Sequence, residues 1–390
     1  MSGASGPRHG SAMGDIRVIP DGALLITDGI IQHVGSSRRL LRLAEARKAD
    51  EIDASGRVVM PAFVDAFTQL MCGPPRAWGE ESAHDPFEAS ARVLRSWSPQ
   101  RLEMEGRKRL RQFVRFGTTT IAGASGYSLD EEVELRSLRA LDRLREHPVE
   151  LASLLYTTAR TAQRGDSNGW EILEALGTAF LPAAHGKRLL SGVVIGDGFP
   201  EDAVEGYLAC AARFGLTAML ETRGDAVELA CRAGAAAVSD LEGITPAAVR
   251  RLAESDTVAL LLPGRSFHCG KRPYAPARGL IDQGAAVALA TGYDSLVSPT
   301  ASMPMIMSLA CTQMRMTPEE ALTAATVNAA HALGLGGRLG MLQSGMQADL
   351  LLMDCGDYRE VPLYFGMNPV AMVMRRGQMI FPRLETSGLI

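Results

Sequence analysis

The chain has little that would tie it to a membrane, a nucleic acid or an oxidising compartment. No apolar run reaches the roughly 20 residues needed to span a bilayer. The N-terminal MSGASGPRHGSAMGD is small and polar and lacks the apolar stretch of a secretory leader, so residues 1–15 are expected to form a disordered tail. Six cysteines (Cys72, Cys210, Cys231, Cys269, Cys311, Cys355) stand singly, with no CxxC pair and no dense framework. That excludes a disulfide-stapled scaffold and reads as buried thiols in a reducing compartment, with the cytoplasm as the expected location. A net charge of −4, from 40 basic and 44 acidic residues, gives no reason to expect a nucleic-acid or anionic-membrane partner. Internal repeats and low-complexity linkers are also missing.

What is present is a long chain of 390 residues with 46% apolar content, ample for a large core. Apolar, β-rich runs alternate with amphipathic stretches from about residue 58 to residue 333. They are VVMPAFVDA (58–66), TTTIAGA (118–124), ELASLLYTT (150–158), LLSGVVIGD (189–197), TAMLETR (217–223), AAAVSD (235–240), TVALLLPG (257–264) and AVALATG (286–292). Most are continuously apolar, as strands buried on both faces of a parallel sheet must be. With helices between them they predict an α/β protein built on a (β/α)8 TIM barrel, whose reacting groups sit where strands end and the following loops begin.

The flanks follow another pattern. GALLITDGIIQHVG (22–35), DEIDASGRVV (50–59), ADLLLMDC (348–355) and PVAMVMRRGQMIF (369–381) read as short antiparallel strands with Asp-Gly, Ser-Gly and Arg-Gly turns. Residues 16–60 and 340–390 are therefore expected to build one small β-sandwich beside a barrel over 61–339. Within the barrel the sharpest element is a helix over 317–333. Thr317 is its N-cap, Pro318 its first helical residue and Glu320 completes a capping box.

Four stretches carry a resemblance to a known family: GRVVMPAFVDAFTQL (56–70), GTTTIAGASGYSLDEEVEL (117–135), and two long ones over 252–292 and 298–352. Together they resemble the amidohydrolase superfamily and its imidazolonepropionase branch, over nearly the whole chain from about residue 20. The resemblance implies hydrolysis of a cyclic amide C–N bond by one zinc or iron ion, held by a His-x-His at the first barrel strand and by later histidines. An aspartate at the end of the eighth strand would take the proton from water.

The positions that the resemblance assigns to this chemistry carry other residues. Phe67 and Gln69 replace the two histidines, Glu221 and Asp240 stand at the fifth- and sixth-strand histidine positions, and Gly292 replaces the aspartate. A nearby family glutamate falls on Gly224, and Tyr156–Arg160 carries no histidine. Binding features persist: Arg76 matches an arginine that approaches substrate, Tyr127 keeps the tyrosine of the SGYG motif, and Asp294 stands in place of an asparagine that holds substrate.

These replacements predict a small-molecule-binding pseudoenzyme with no metal and no cofactor, its ligand-binding residues being Arg76, Tyr127, Glu221, Asp240 and Asp294. The family's habit of dimerising implies a homodimer. Two alternatives stand beside this reading. Glu221, Asp240 and Asp294 would converge as a rebuilt carboxylate site in an active cyclic-amide hydrolase, with Arg223 or Arg76 as the competing ion-pair partner of Glu221. Otherwise the chain would be a regulatory partner of an active homologue. His268-Cys269, in the loop after the seventh strand, is a poor chelate, because adjacent side chains on an extended loop point apart. The methionines at 303, 305, 307, 314 and 316 read as core filling.

Overall fold

A computed structural model describes residues 6–74, 86–127, 130–159, 169–222, 226–270 and 272–382. Eight parallel strands follow one another around a barrel: β4 (Phe63–Thr68), β5 (Thr118–Ala124), β6 (Glu150–Thr157), β7 (Gly192–Ile195), β8 (Thr217–Glu221), β9 (Ala237–Ser239), β10 (Val258–Leu261) and β11 (Val287–Leu289). A bridge between Thr68 and Tyr293, and the Gln69 N–H donating to the Tyr293 carbonyl at 2.7 Å, join the end of β4 to the segment after β11.

The continuous apolar runs follow from two buried faces. On β7, Val193 and Ile195 face the helices while Val194 faces the barrel interior; on β11, Val287 and Leu289 face outward around Ala288. The interior is filled mostly by small residues, among them Ala66, Ala122, Ala237 and Ala288, which leaves room for aromatic rings at one end.

The chain ends build two further sheets. A hairpin of β1 (Gly22–Thr27) and β2 (Ile30–Ser36) turns at Asp28-Gly29, where both residues have positive φ, as a two-residue hairpin turn of this hand requires. A four-stranded sheet runs β14 (Gln378–Phe381), β13 (Val370–Arg375), β12 (Leu350–Met353), β3 (Val58–Pro61), all antiparallel. It lies against the helix Pro99–Arg115, and an Ile30–Gln347 bridge ties the hairpin to it. Residues 50–57 form no strand.

Three expectations need correction. The run 58–66 is two strands: the Ala62 N–H is taken by the Asp349 carbonyl of the end sheet, whereas that of Phe63 is taken by Gly117 of the barrel, so pairing changes at Ala62. The 317–333 helix is also two, Pro318–Ala324 and Val327–Ala332. Its capping box is present, but the Ala325 carbonyl accepts the Val64 N–H of β4 at 3.0 Å, and the Thr326 hydroxyl donates to Leu322. Finally, residues 6–14 of the expected tail are ordered. A 3-10 turn Gly10–Gly14 buries Met13 fully, and the Met13 carbonyl accepts the Thr323 hydroxyl at 2.7 Å. Among the described residues no helix is long and apolar enough to cross a membrane.

Candidate functional site at the barrel mouth

The C-terminal ends of six strands deliver a connected set of polar and aromatic side chains. β4 carries Phe67 near its end and leads to Gln69; β5 leads to Tyr127; β6 carries Tyr156; β8 ends in Glu221; Asp240 follows β9; Asp294 follows β11. Arg265 comes from the short helix Pro263–His268 that begins two residues after β10. This is the face on which the active sites of such barrels are built.

One end of the set is a buried ion cluster. Arg265 Nη1 lies 2.8 Å from Glu221 Oε1 and 3.2 Å from Asp240 Oδ1, while the Tyr156 hydroxyl donates to the other Glu221 oxygen. The Arg265 guanidinium also lies over the Phe67 ring, 5.5 Å from its centroid. Burial works against charge on Arg265, but the two carboxylates more than offset it and hold its pKa well above the ordinary value. Burial pushes the Glu221 carboxyl up, against the pull of Arg265. Asp240 sits at φ +63, a left-handed backbone that Asp tolerates better than most residues.

At the other end the Tyr127 hydroxyl donates to Asp294 Oδ2 at 2.7 Å, and Asp294 Oδ1 accepts the N–H groups of Leu296 and Val297 at 2.7 and 3.2 Å. The rings of Tyr127 and Tyr156 meet edge to face with centroids 5.3 Å apart, and Phe67 lies 6.2 Å from Tyr156. The network therefore runs Asp294, Tyr127, Tyr156, Glu221, Arg265, Asp240. Burial raises both tyrosine pKa values well above the ordinary one, so both hydroxyls stay protonated donors.

Two further residues complete the picture. Gln69 is fully buried, and among the described residues neither its amide nitrogen nor its amide oxygen has a hydrogen-bond partner. Beneath the mouth, Asp65 of β4 is fully buried and accepts from the Thr291 N–H at 3.1 Å and the Thr291 hydroxyl at 2.5 Å; burial pushes its pKa up to about 7. At Gly292, with φ +54, an added Cβ would lie 3.4 Å from the Leu262 side chain.

Of the residues anticipated from sequence, Tyr127 and Asp294 are joined directly, and Glu221 and Asp240 are joined through a shared guanidinium. Arg76, Arg223 and Gly224 lie outside the described residues. The expected convergence of Glu221, Asp240 and Asp294 is corrected: Arg265 neutralises the first two, and Asp294 is engaged by Tyr127 and by backbone. Among the described residues no three His, Cys, Asp or Glu side chains are grouped to hold a metal ion. The loop expected at His268-Cys269 is the end of a helix, with Cys269 exposed as its C-cap. Arg265 was not anticipated, although an arginine directly after the Pro-Gly that closes an apolar strand was a usable signal.

This fold and this mouth define an amidohydrolase-type barrel. The Amidohydrolase family model matches residues 219–380. The imidazolonepropionase of Solibacter usitatus is 36% identical over 408 residues, covering 98% of this chain and 96% of that protein. That of Geobacillus thermodenitrificans is 33% identical, covering 94% and 92%. A 5-methylcytosine deaminase from Klebsiella pneumoniae liganded with 5-fluorocytosine shares the fold at TM-score 0.71 with 19% identity, covering 94% of this chain and 95% of that one. The chain belongs to the imidazolonepropionase family of amidohydrolases.

Proposed function

We propose that this chain is an imidazolonepropionase-like protein that binds a small molecule at the barrel mouth without metal-dependent hydrolysis. The observation that carries this reading is Arg265, whose guanidinium is the counter-ion of Glu221 and Asp240 and covers the ring of Phe67. The residues present do not fit a catalytic divalent cation. Phe67 offers no donor atom, Gln69 offers only a neutral amide, and the two carboxylates already face a fixed positive charge. A second cation at that distance would meet repulsion of several kcal/mol at the effective dielectric of a partly buried site.

Gly292 after β11 offers no carboxylate either, since it has no side chain and Leu262 lies beside it. What the mouth retains is recognition chemistry. The Gln69 amide has a donor and an acceptor without partners among the described residues, and it is accompanied by the buried, mutually packed rings of Phe67, Tyr127 and Tyr156. An unpartnered buried amide costs about 1–3 kcal/mol, a cost that a ligand with complementary N–H and C=O groups would offset.

The test is a ring-opening assay on imidazolone-like cyclic amides with protein purified after growth in zinc, iron and manganese, with bound metal measured on the same sample. The expected result is saturable binding of a cyclic amide with no turnover. One equivalent of metal together with turnover would overturn the reading.

A further inference from the structure

At the opposite end of the barrel from the mouth, a cavity of about 660 Å³ opens at the N-terminal ends of β6 and β7. Its walls include Arg145, Arg188 and Arg375, with Val149, Leu151 and Leu190 supplying apolar surface. The volume is that of a site for a small organic molecule.

The charge in this cavity is unbalanced. Among the described residues Glu150 is the only carboxylate lining it, and three arginines already face it: Arg338 at 2.9 Å, Arg375 at 2.7 Å and Arg376 at 3.8 Å. Arg145 pairs with Asp142 at 3.2 Å and donates to the Arg188 carbonyl at 3.1 Å, so it braces the loop that carries Arg188. The Nε atoms of Arg145 and Arg375 have no acceptor among the described residues.

Arg188 is the telling residue. It is exposed on the rim, and no carboxylate among the described residues pairs with it. It also sits at φ +57, closing the helix Leu181–Gly186, a position whose left-handed backbone favours glycine. With no carboxylate paired to it among the described residues, its guanidinium is available to an anion entering the cavity it helps to line.

We propose that this cavity is a second binding site, for a small phosphorylated molecule, with phosphate oxygens held by the guanidinium forks of Arg188, Arg145 and Arg375 and the rest of the ligand against Val149, Leu151 and Leu190. Guanidinium matches phosphate in bidentate geometry, and a surplus of several arginines favours a ligand with two or more negative charges. The N-terminal face of such barrels serves stability rather than chemistry, so the ligand at this end would stabilise or regulate the fold.

Calorimetric titration of the full chain with pyrophosphate and with ADP, at low and at moderate salt, tests this. The two probes separate a site for the phosphates alone from one that also holds the apolar part. One site per chain is expected, with affinity falling as salt rises. Arg188→Gly and Arg188→Glu should each weaken binding by about tenfold or more. Arg188→Gly should do so with an unchanged or higher unfolding temperature, because it relieves the backbone. Failure of both probes to bind the wild type would overturn the proposal, as would equal binding by Arg188→Glu. Loss of binding in Arg265→Met but not in Arg188→Glu would place the anion at the barrel mouth and overturn it as well.

Discussion

At the scale of single residues, Arg265 decides the character of the barrel mouth. It brings a permanent positive charge to Glu221 and Asp240, which stand at histidine positions by resemblance to the family. Removing one partner of a buried ion pair strands the others, so Arg265→Met is expected to cost about 3–5 kcal/mol in denaturant unfolding. The double variant Arg265→Met with Glu221→Gln should recover a good part of that loss, and no recovery would mean that the pairing is not what stabilises this region. Asp65 gives a second residue-scale prediction. Its pKa is raised from 3.8 to about 7 by burial, so the folded state holds a proton there that the unfolded chain has released. The folded state gains fully from this below about pH 4, and the gain is lost as pH rises to about 7. Asp65→Asn should flatten that fall in a pH series of unfolding free energies, and an unchanged slope would show that Asp65 does not cause it. The placement of Phe67, Gln69 and Gly292 at or just after strand ends was legible in the sequence, because the apolar runs mark where the strands stop. The partner of Glu221 was not, because ion pairing across a barrel is set by which loops meet in space.

At the scale of elements, local signals held where local chemistry is decisive. The capping box at Thr317 and Glu320 forms as its sequence predicts, with Glu320 N–H donating to Thr317 Oγ1 at 3.2 Å and Thr317 N–H to Glu320 Oε2 at 2.8 Å. Thr317→Ala should therefore cost about 1 kcal/mol by chemical denaturation. A cost near zero would mean that Glu320, also held by Arg278 at 2.9 Å, fixes the helix start alone. The end of the same helix was not legible. Nothing in ALTAATVNAAHAL marks a break, and the break exists because β4 brings the Val64 N–H to the Ala325 carbonyl. The division of the run 58–66 has the same origin. Its residues are apolar apart from Asp65, and only the two different partners, Asp349 and Gly117, separate β3 from β4.

At the scale of the whole molecule, the barrel was legible from eight apolar, β-rich runs, most of them continuous, because strands buried on both faces leave no polar period to confuse the reading. The ordering of residues 6–14 was not, since Gly10–Gly14 carries no periodicity and is fixed by one buried methionine and the Thr323 hydroxyl. The family scaffold is thus intact while its mouth holds a guanidinium among the carboxylates. The most direct test of that account is a titration of purified wild-type protein with zinc, followed by calorimetry and by elemental analysis after desalting. The account predicts no stoichiometric uptake by the wild type. Retention of one zinc equivalent at the barrel mouth, abolished by Glu221→Gln, would contradict it.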